Sequence, residues 1–316
     1  MRGILTVLIL TFTFLNYAQE VELKTNKGTL KGSLLTPTEG EKWPIVLIIP
    51  GSGPTDRDGN NPQLKNDALK LLAEALQENG YASLRYDKRG VAGSSDAMIE
   101  EEAMRFNQFV DDAADWGLWI RKDGRFGNII GLGHSQGALV ALLAATTKGS
   151  FDGYISLCGP SEPINEILKM QLKPQIVSDS LEQIIFAKID SLRQGYHVKD
   201  DVPKAYQPLL RQPIQSFLMS WMQYTPSQEL AKLNIPALIV GGSTDMQVPG
   251  EQAKLMGKLN DNAKGIVIKD MNHVLRYTKE DNIMSQMETY ADASLPLHPK
   301  LMKPILKYLE QFKLNN

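Results

Sequence analysis

The residues Gly133-His134-Ser135-Gln136-Gly137 place a serine with a glycine two positions away on each side. The apolar run "NIIGLG" precedes them and an apolar helical pattern follows. This G-x-S-x-G spacing is typical of a sharp strand-to-helix turn that exposes the serine hydroxyl beside a helix N-terminus, which favours negative charge. Glycines allow the strand and the helix to approach without side-chain clashes. The pattern predicts that Ser135 is a nucleophile; the alternative is a helix-capping serine with packing glycines.

A serine hydroxyl needs a base that accepts its proton, and the base needs an acid that orients it. The chain has 4 histidines. His134 adjoins the serine and is expected to point elsewhere, His197 lies among predicted helices, and His298 follows no strand-like run. His273 directly follows the strand-like run "KGIVIKD", and open α/β sheets bind ligands at the carboxyl ends of their strands. His273 is therefore the predicted base.

The predicted acid is Asp245, on the loop after the apolar run "PALIVGG". Asp261 is expected in a helix-to-strand connection at the opposite end of the sheet, and Asp270 is too close in sequence to His273 to meet it face on. The order serine, acid, histidine is one of those known for catalytic triads. The alternative role for Asp245 is a turn aspartate that bonds its own backbone.

An oxyanion formed by serine attack needs fixed hydrogen-bond donors, each of which contributes roughly 10²–10³ in rate. The backbone N–H of Gln136, just after the predicted nucleophile, is one candidate. The second is the N–H of Ser52, which lies between two glycines in "PGSGPTDRDGNNP".

Short apolar runs alternate with helical patterns along most of the chain, which predicts a mostly parallel sheet with helices on both faces. Alternating residues from Val21 to Pro37 predict a hairpin. Residues 160–232 contain helical patterns separated by prolines and no strand-like run. We predict an α/β core of residues 19–159 and 233–316 with 160–232 as a helical lid insertion; the alternative is a separate helical domain.

Residues 1–18 have the pattern of a secretory signal peptide, with cleavage predicted after Ala18 and export to the periplasm or the medium. The apolar stretch from Ile4 to Leu15 is shorter than the roughly twenty residues of a membrane-spanning helix, so stable membrane insertion is not expected. An uncleaved anchor and a buried first strand are the alternatives. A net charge of −2 argues against nucleic acid as a partner. The single cysteine, Cys158, excludes an intramolecular disulfide and is expected to be an inert core thiol.

The segments "PGSGPTDRDGNN", "YDKRG", "GHSQG" and "MNHVLR" together resemble the α/β-hydrolase superfamily over nearly all of the chain after residue 18. More narrowly, they resemble a branch of bacterial carboxylesterases with helical lids, often called serine aminopeptidase-like. The resemblance implies the α/β-hydrolase fold, hydrolysis of esters with short to medium acyl groups, no cofactor, and Ser135, Asp245 and His273 as the triad. One departure is Pro50-Gly51, where many relatives have His-Gly before the oxyanion loop.

The loop "TDRDGNNP" also has the spacing of a calcium-binding loop at Asp56, Asp58 and Asn60. However, Asn61 occupies the position where the sharp turn of such a loop requires glycine, so no metal is predicted. Arg57 is expected either to pair with a carboxylate and stiffen the loop or to face the substrate.

The sequence therefore predicts a secreted serine hydrolase that cleaves small-molecule carboxylic esters through an acyl-enzyme. Met219, Trp221 and Met222 either line its acyl pocket or pack the lid against the core. The first alternative is a peptidase, in which Glu162 and Glu166 would hold an N-terminal amine. The second is a non-catalytic ligand-binding protein. No sequence feature indicates the oligomeric state.

Overall fold

The structure, a computed structural model, describes residues 18–199, 201–279 and 283–313. Apart from Ala18, the predicted signal peptide lies outside the described residues. Among them, no helix combines the length and the hydrophobicity that a membrane crossing requires.

A single sheet of eight strands runs through the molecule in the order β1-β2-β4-β3-β5-β6-β7-β8. The first two strands form the predicted hairpin and pair antiparallel, as do β2 and β4, whereas all other neighbours are parallel. The mostly parallel sheet predicted from the alternation of strands and helices is therefore confirmed. The strands are β1 Gln19–Thr25, β2 Gly28–Leu35, β3 Trp43–Ile49, β4 Ala82–Tyr86, β5 Phe126–His134, β6 Gly153–Leu157, β7 Ala237–Gly242 and β8 Ala263–Ile268.

Helices cover both faces of this sheet, which explains why the central strands are apolar on both sides. The α1 and α11 helices contribute to the core on one face, and α2, α3 and the helices between β6 and β7 contribute to the core on the other. The helices are α1 Ala68–Glu78, α2 Phe106–Arg121, α3 Gln136–Lys148, α4 Ile164–Leu172, α5 Asp179–Arg193, α6 Gln207–Leu210, α7 Gln212–Met222, α8 Pro226–Leu230, α9 Glu251–Met256, α10 Ile283–Ala291 and α11 Met302–Leu309.

The helical segment, residues 160–232, contains α4 to α8 and no strand within its described part. It packs on the rest of the chain through α7. The ring of Trp221 on α7 stacks on Phe106 of α2, with ring centroids 5.3 Å apart and planes inclined by 6°. Arg211, just before α7, forms a two-pronged ion pair with Glu101. These contacts hold the segment over the carboxyl-terminal side of the sheet, where β5 leads into α3.

Candidate active site

Ser135 occupies a sharp turn between the end of β5 and the start of α3. Its backbone has φ 54° and ψ −120°, a sparsely populated conformation for a residue with a side chain, which surrounding structure must enforce. The Ser135 N–H donates to the carbonyl of Leu157 on the neighbouring strand β6 at 2.9 Å. The turn therefore presents the serine side chain at the carboxyl edge of the sheet, with the first turn of α3 behind it.

The two glycines of the motif are required by close backbone contacts. A Cβ atom on Gly133 would lie 2.0 Å from the carbonyl oxygen of Gly137. A Cβ atom on Gly137 would lie 2.3 Å from the carbonyl oxygen of Ile49 on β3. Any side chain at either position would push α3 away from the sheet and displace Ser135.

Asp245 and His273 form a hydrogen-bonded pair on the loops after β7 and β8. The His273 Nδ1 atom lies 2.8 Å from Oδ2 of Asp245, and both side chains are buried. The second carboxylate oxygen accepts the backbone N–H groups of Gln247 at 2.8 Å and Val248 at 2.9 Å. With its Nδ1 proton held by the carboxylate, the imidazole has its basic lone pair on Nε2.

Ser135 and His273 both line a cavity of about 250 Å³, whose wall also includes Gly51, Ser52 and Tyr290. The structure thus brings the end of β5, the loop after β3 and the loop after β8 to one small space. The carboxylate of Asp245 lies behind His273 and fixes the orientation of its ring.

The alternative acids and bases lie elsewhere. Asp261 is exposed in the turn before β8, at the opposite end of that strand, and Asp270 is half-buried at the start of the loop that carries the pair. The ring of His298 contacts Tyr277 and accepts the backbone N–H of Lys300. In the helical segment, His197 contacts Gln215.

His134 does not point away from the site, contrary to the expectation from its sequence. Its Nε2 atom lies 2.8 Å from the backbone carbonyl oxygen of His273, and the two ring centroids are 4.9 Å apart. Burial, together with repulsion from a protonated His273, lowers the pKa of His134 to about 4. His134 is therefore a neutral ring at neutral pH that supports the backbone of His273.

The two predicted oxyanion donors lie on either side of the nucleophile. A Cβ atom on Gly51 would lie 3.3 Å from Cβ of Ser135, so the loop carrying Ser52 contacts the serine directly. As the first residue of α3, Gln136 has no intrahelical acceptor for its N–H. Among the described residues, no acceptor contacts the N–H of Ser52. Both N–H groups are thus available to a ligand.

A larger cavity, of about 710 Å³, extends from Ser52 and Gln136 towards the helical segment. Its apolar lining comes from α2, α6, α7 and the segment before α2: Met98, Ile99, Met104, Phe109, Leu209, Ile214, Phe217, Leu218 and Trp221.

Met219 and Met222 of α7 do not lie where residues that contact the acyl group would lie. Trp221 lines the larger cavity, but Met222 and Met219 do not. Met222 is completely buried in the core and Met219 packs against that core. Met219 follows Leu218 directly and therefore points about 100° away from it around the helix, whereas Met222, one turn after Leu218, is enclosed by the core.

Arg57 is fixed by carboxylates and lines neither cavity. Its guanidinium donates to Asp87 at 3.0 and 2.9 Å and to Glu20 at 2.6 Å. The sequence leaves two roles open for Arg57. These contacts fit the stiffening of the loop and do not fit contact with substrate.

The loop with calcium-like spacing has its oxygens occupied by protein donors. Oδ1 of Asp56 accepts the N–H groups of Asp58 and Asn60, both at 2.9 Å. Asp58 pairs with Arg85 at 2.7 Å. These contacts with protein donors shape the loop.

Among the described residues, one group of side chains has the composition of a metal site. The donor atoms of His134, Cys158 and His273 all lie within 4.8 Å of one another. Zinc would require these atoms to lie about 2.0–2.3 Å from a shared centre, with the cysteine as a thiolate. Burial, reinforced by the neighbouring Asp245, raises the pKa of the Cys158 thiol, whereas a metal ligand must be a thiolate. The arrangement fits a hydrogen-bonded support for His273 better than a resident metal.

The sequence profile of the Alpha/beta hydrolase family matches residues 46–291. The chain belongs to this family. The α/β-hydrolase fold implied by the motifs is therefore confirmed.

Several esterases resemble this alpha/beta hydrolase. Esterase EstD from Thermotoga maritima is 26% identical over 252 residues, which are 78% of this chain and 58% of that protein. The aligned region thus spans less than two thirds of the relative. The structure of Est1E from Butyrivibrio proteoclasticus superposes with a TM-score of 0.60 and 18% identity, covering 92% of this chain and 98% of that one. A thermophilic esterase from Thermogutta terrifontis gives a TM-score of 0.56 at 19% identity, covering 94% of this chain and 100% of the other.

Proposed function

We propose that this alpha/beta hydrolase is a carboxylesterase that uses Ser135, His273 and Asp245 as a catalytic triad. The observation that carries the proposal is the hydrogen-bonded Asp245–His273 pair, whose imidazole lines the same small cavity as Ser135. The similarity to Esterase EstD and the fold shared with two further esterases support the choice of an ester substrate.

In the first half of the reaction, Nε2 of His273 accepts the proton of the Ser135 hydroxyl while Oγ attacks the ester carbonyl carbon. The carbonyl electron pair moves to oxygen, and the N–H groups of Ser52 and Gln136 donate to this oxyanion. The tetrahedral intermediate then collapses, the alcohol leaves with the proton from His273, and an acyl-enzyme remains on Ser135. Asp245 stabilises the imidazolium throughout.

In the second half, water replaces the alcohol. His273 takes a proton from water, the hydroxide attacks the acyl carbon, and the same two N–H groups stabilise the second oxyanion. Collapse returns the proton to Ser135 and releases the carboxylic acid. No redox step and no external co-reactant other than water is needed.

We assign the acyl group to the larger cavity because its lining is apolar and it adjoins both N–H donors. The walls of α2 and α7 suit short to medium acyl chains. The smaller cavity, which includes the polar side chains of Thr55, Asn61 and Tyr290, suits the alcohol portion. In this proposal the helical segment acts as a lid that shields the acyl group from water.

The peptidase alternative has less support. Glu162 and Glu166, the candidates for holding a peptide amine, line neither cavity. Glu166 instead accepts from Asn165 at 2.7 Å and contacts Lys169 at 3.4 Å. A non-catalytic binding protein has less support, because the sequence keeps all three triad residue types and the Asp245–His273 pair adjoins the cavity that Ser135 lines.

The test compares p-nitrophenyl esters of two to eight acyl carbons with aminoacyl nitroanilides, together with labelling by a fluorophosphonate. We expect ester turnover well above nitroanilide turnover, and a label on Ser135. Ser135→Ala should abolish both, whereas Ser180→Ala, at an exposed position on α5, should retain both. Faster turnover of the nitroanilides would favour the peptidase. Retained turnover in folded Ser135→Ala would remove the assigned nucleophile.

We also propose that residues 1–18 direct export and are then removed. Cleavage after Ala18 would leave the sheet whole, since β1 starts at Gln19. Fractionation of cells producing the full-length chain, followed by N-terminal sequencing, tests this. Export should yield a mature chain starting with Gln19 in the periplasm or the medium; an uncleaved chain retained in the cell would contradict it.

A further inference from the structure

Lys88 is a buried cation that contacts the loop carrying the proposed oxyanion donor Ser52. It lies just after β4, and only 3% of its surface is exposed. Its ammonium group donates to the carbonyl of Gly51 and, at 2.8 Å, to the carbonyl of Gly53. Its Nζ atom also lies 5.6 Å from the ring centroid of Phe109 on α2. The two carbonyls that it contacts flank Ser52.

The planarity of the peptide bond connects Lys88 with the oxyanion. The carbonyl of Gly51 and the N–H of Ser52 belong to one peptide unit, and in a trans unit these two groups point in opposite directions. No described peptide bond is cis. A donor that fixes the carbonyl of Gly51 on one side of the loop therefore fixes the direction of the Ser52 N–H on the other side.

The other carbonyl contacts in this loop reinforce the arrangement. The Thr55 hydroxyl donates to the carbonyl of Ser52 at 2.8 Å, and Gly53 has φ +70°, a conformation that favours glycine. Lys88 is the only cation among the described residues that contacts these loop carbonyls. A loop rich in glycine has few side chains to hold it, so these few bonds decide its conformation.

Lys88 differs from the charged residues on either side of it. Asp87 is paired with Arg57, and Arg89 with Asp112. Lys88 has no carboxylate partner in the described part of the chain. The acidic groups of the surrounding elements are committed elsewhere or lie at the cavity wall: Asp112 of α2 binds Arg89, Glu101 binds Arg211, and Glu100 is exposed.

A buried ammonium without a counter-ion is unfavourable, and burial lowers the pKa of Lys88 to about 7. Replacing buried ionic groups by apolar residues of similar volume is often neutral or stabilising. Its retention here is explained if its hydrogen bonds serve the site, since the proposed reaction needs a rigid donor at Ser52.

We propose that Lys88 is a positioning residue, which holds the peptide unit between Gly51 and Ser52 so that the Ser52 N–H points at the oxyanion. This inference rests on the proposed esterase function, because it presupposes an oxyanion formed at Ser135. It assigns Lys88 no contact with the reacting atoms: it acts through the backbone of the loop.

The experiment measures affinity for an oxyanion separately from affinity for a neutral ligand. An aliphatic trifluoromethyl ketone, which Ser135 would convert into a tetrahedral anion, is compared with the methyl ketone of the same chain length. In Lys88→Met we expect inhibition by the trifluoromethyl ketone to weaken about 10- to 100-fold and kcat for p-nitrophenyl butyrate to fall by a similar factor. KM and inhibition by the methyl ketone should change less than about 3-fold, since neither depends on the oxyanion donors.

The matched control is Lys169→Met on α4. Lys169 is half-buried, pairs with Asp190, and lies 5.9 Å from an aromatic ring, that of Phe186, but it contacts neither cavity. The Lys169→Met substitution should leave the inhibition constants of the trifluoromethyl ketone and the methyl ketone unchanged. A folded Lys88→Met variant with wild-type kcat and trifluoromethyl ketone inhibition would overturn the proposal. Equal weakening of the inhibition by both ketones would also overturn it, because that result would indicate a general disturbance of the cavity.

Lys88→Arg keeps the inference testable if the methionine variant does not fold. Arginine remains charged at all relevant pH values, whereas Lys88 loses its charge above neutral pH, and its hydrogen bonds to the two carbonyls then weaken because the donor is neutral. Inhibition of the wild type by the trifluoromethyl ketone should weaken between pH 7 and pH 9 relative to Lys88→Arg. Identical pH profiles of inhibition for the wild type and Lys88→Arg would contradict the positioning role of Lys88. Absence of ester turnover and of Ser135 labelling in the wild type would instead refute the proposed function itself.

Discussion

The imidazole of His134 lies 2.8 Å from the backbone carbonyl oxygen of His273. A carbonyl can only accept, so Nε2 of His134 carries a proton and donates it. This bond joins the last residue of β5 to the loop after β8, which are 139 positions apart in the chain. The turn that presents the proposed nucleophile and the loop that presents the proposed base are therefore tied together directly.

The first prediction concerns stability in acid. The pKa of His134 is lowered to about 4 in the folded protein, against about 6.5 in an unfolded chain. Between these values the unfolded chain binds more protons, so His134 contributes stability that is present above pH 6.5 and is lost as the pH falls towards 4. Over this range we expect the free energy of unfolding of the wild type to fall by about 3 kcal/mol more than that of His134→Gln.

Urea denaturation of the two proteins at pH 7, 5.5 and 4.5 measures this difference. His197→Gln is the control, because it removes a histidine that lies in the helical segment. Equal pH dependence in wild type and His134→Gln would show that His134 is not held neutral by the fold.

The second prediction concerns the acid of the triad. Asp245→Asn should keep the fold but lower kcat by about 10³- to 10⁴-fold, because an amide cannot stabilise the imidazolium and favours the wrong tautomer of His273. The control is Asp270→Asn, which changes a half-buried carboxylate three residues before His273 and should retain activity. Loss of activity in the Asp270 variant alone would make Asp270 the acid. Steady-state kinetics with p-nitrophenyl butyrate measures both.

The positions of the strands could be predicted because the signals are local. Short, mostly apolar runs such as "PIVLII" and "YISL" are typical of strands in a sheet that is covered on both faces. The turn at Ser135 could be predicted because glycines at positions 133 and 137 have a simple steric cause. Asp245 and His273 follow two neighbouring strands of the sheet, and the ends of parallel strands meet at one edge.

The supporting contacts of the site could not be predicted in the same way. In "YDKRG" three consecutive charged residues suggest a solvated surface, yet Asp87, Lys88 and Arg89 are all buried. Asp87 and Arg89 pair with Arg57 and Asp112, which are distant in sequence, and Lys88 donates to backbone carbonyls of the loop after β3. His134 is expected from the sequence to point elsewhere, but it contacts the backbone of His273, 139 positions away, a contact that no local pattern indicates. Tertiary partners, and not local pattern, decide these positions.

The third prediction separates the cost of the buried Lys88 charge from its role in the loop. The pKa of Lys88 is lowered from 10.5 to about 7, so at or below pH 7 folding must bury the charge. Between pH 7 and pH 10.5 the unfolded chain binds more protons, and the stability of the wild type therefore rises with pH. We expect the stability of Lys88→Met relative to the wild type to be greatest near pH 6 and to decline by several kcal/mol towards pH 10.

Urea denaturation at pH 6, 8 and 9.5 measures this trend, with Lys169→Met as the control. A relative stability that stays constant with pH would mean that Lys88 is not desolvated in the fold. A variant that is as stable as the wild type or more so at pH 6, yet has low kcat, would separate positioning of the loop from general stability.

The last prediction concerns acyl length and uses two residues of the same helix. Ile214 of α7 lines the larger cavity, so Ile214→Trp should fill part of it and lower kcat/KM for octanoate esters at least about 10-fold more than for acetate esters, since one lost methylene contact changes discrimination by about 1–3 kcal/mol. Met219, five residues further on, does not line the cavity, and Met219→Trp should leave the ratio of octanoate to acetate unchanged. Competition between the two esters in one reaction gives this ratio directly. If the Met219 variant shifted the preference and the Ile214 variant did not, the acyl chain would lie on the other side of α7, and the assignment of the larger cavity to the acyl group would be wrong.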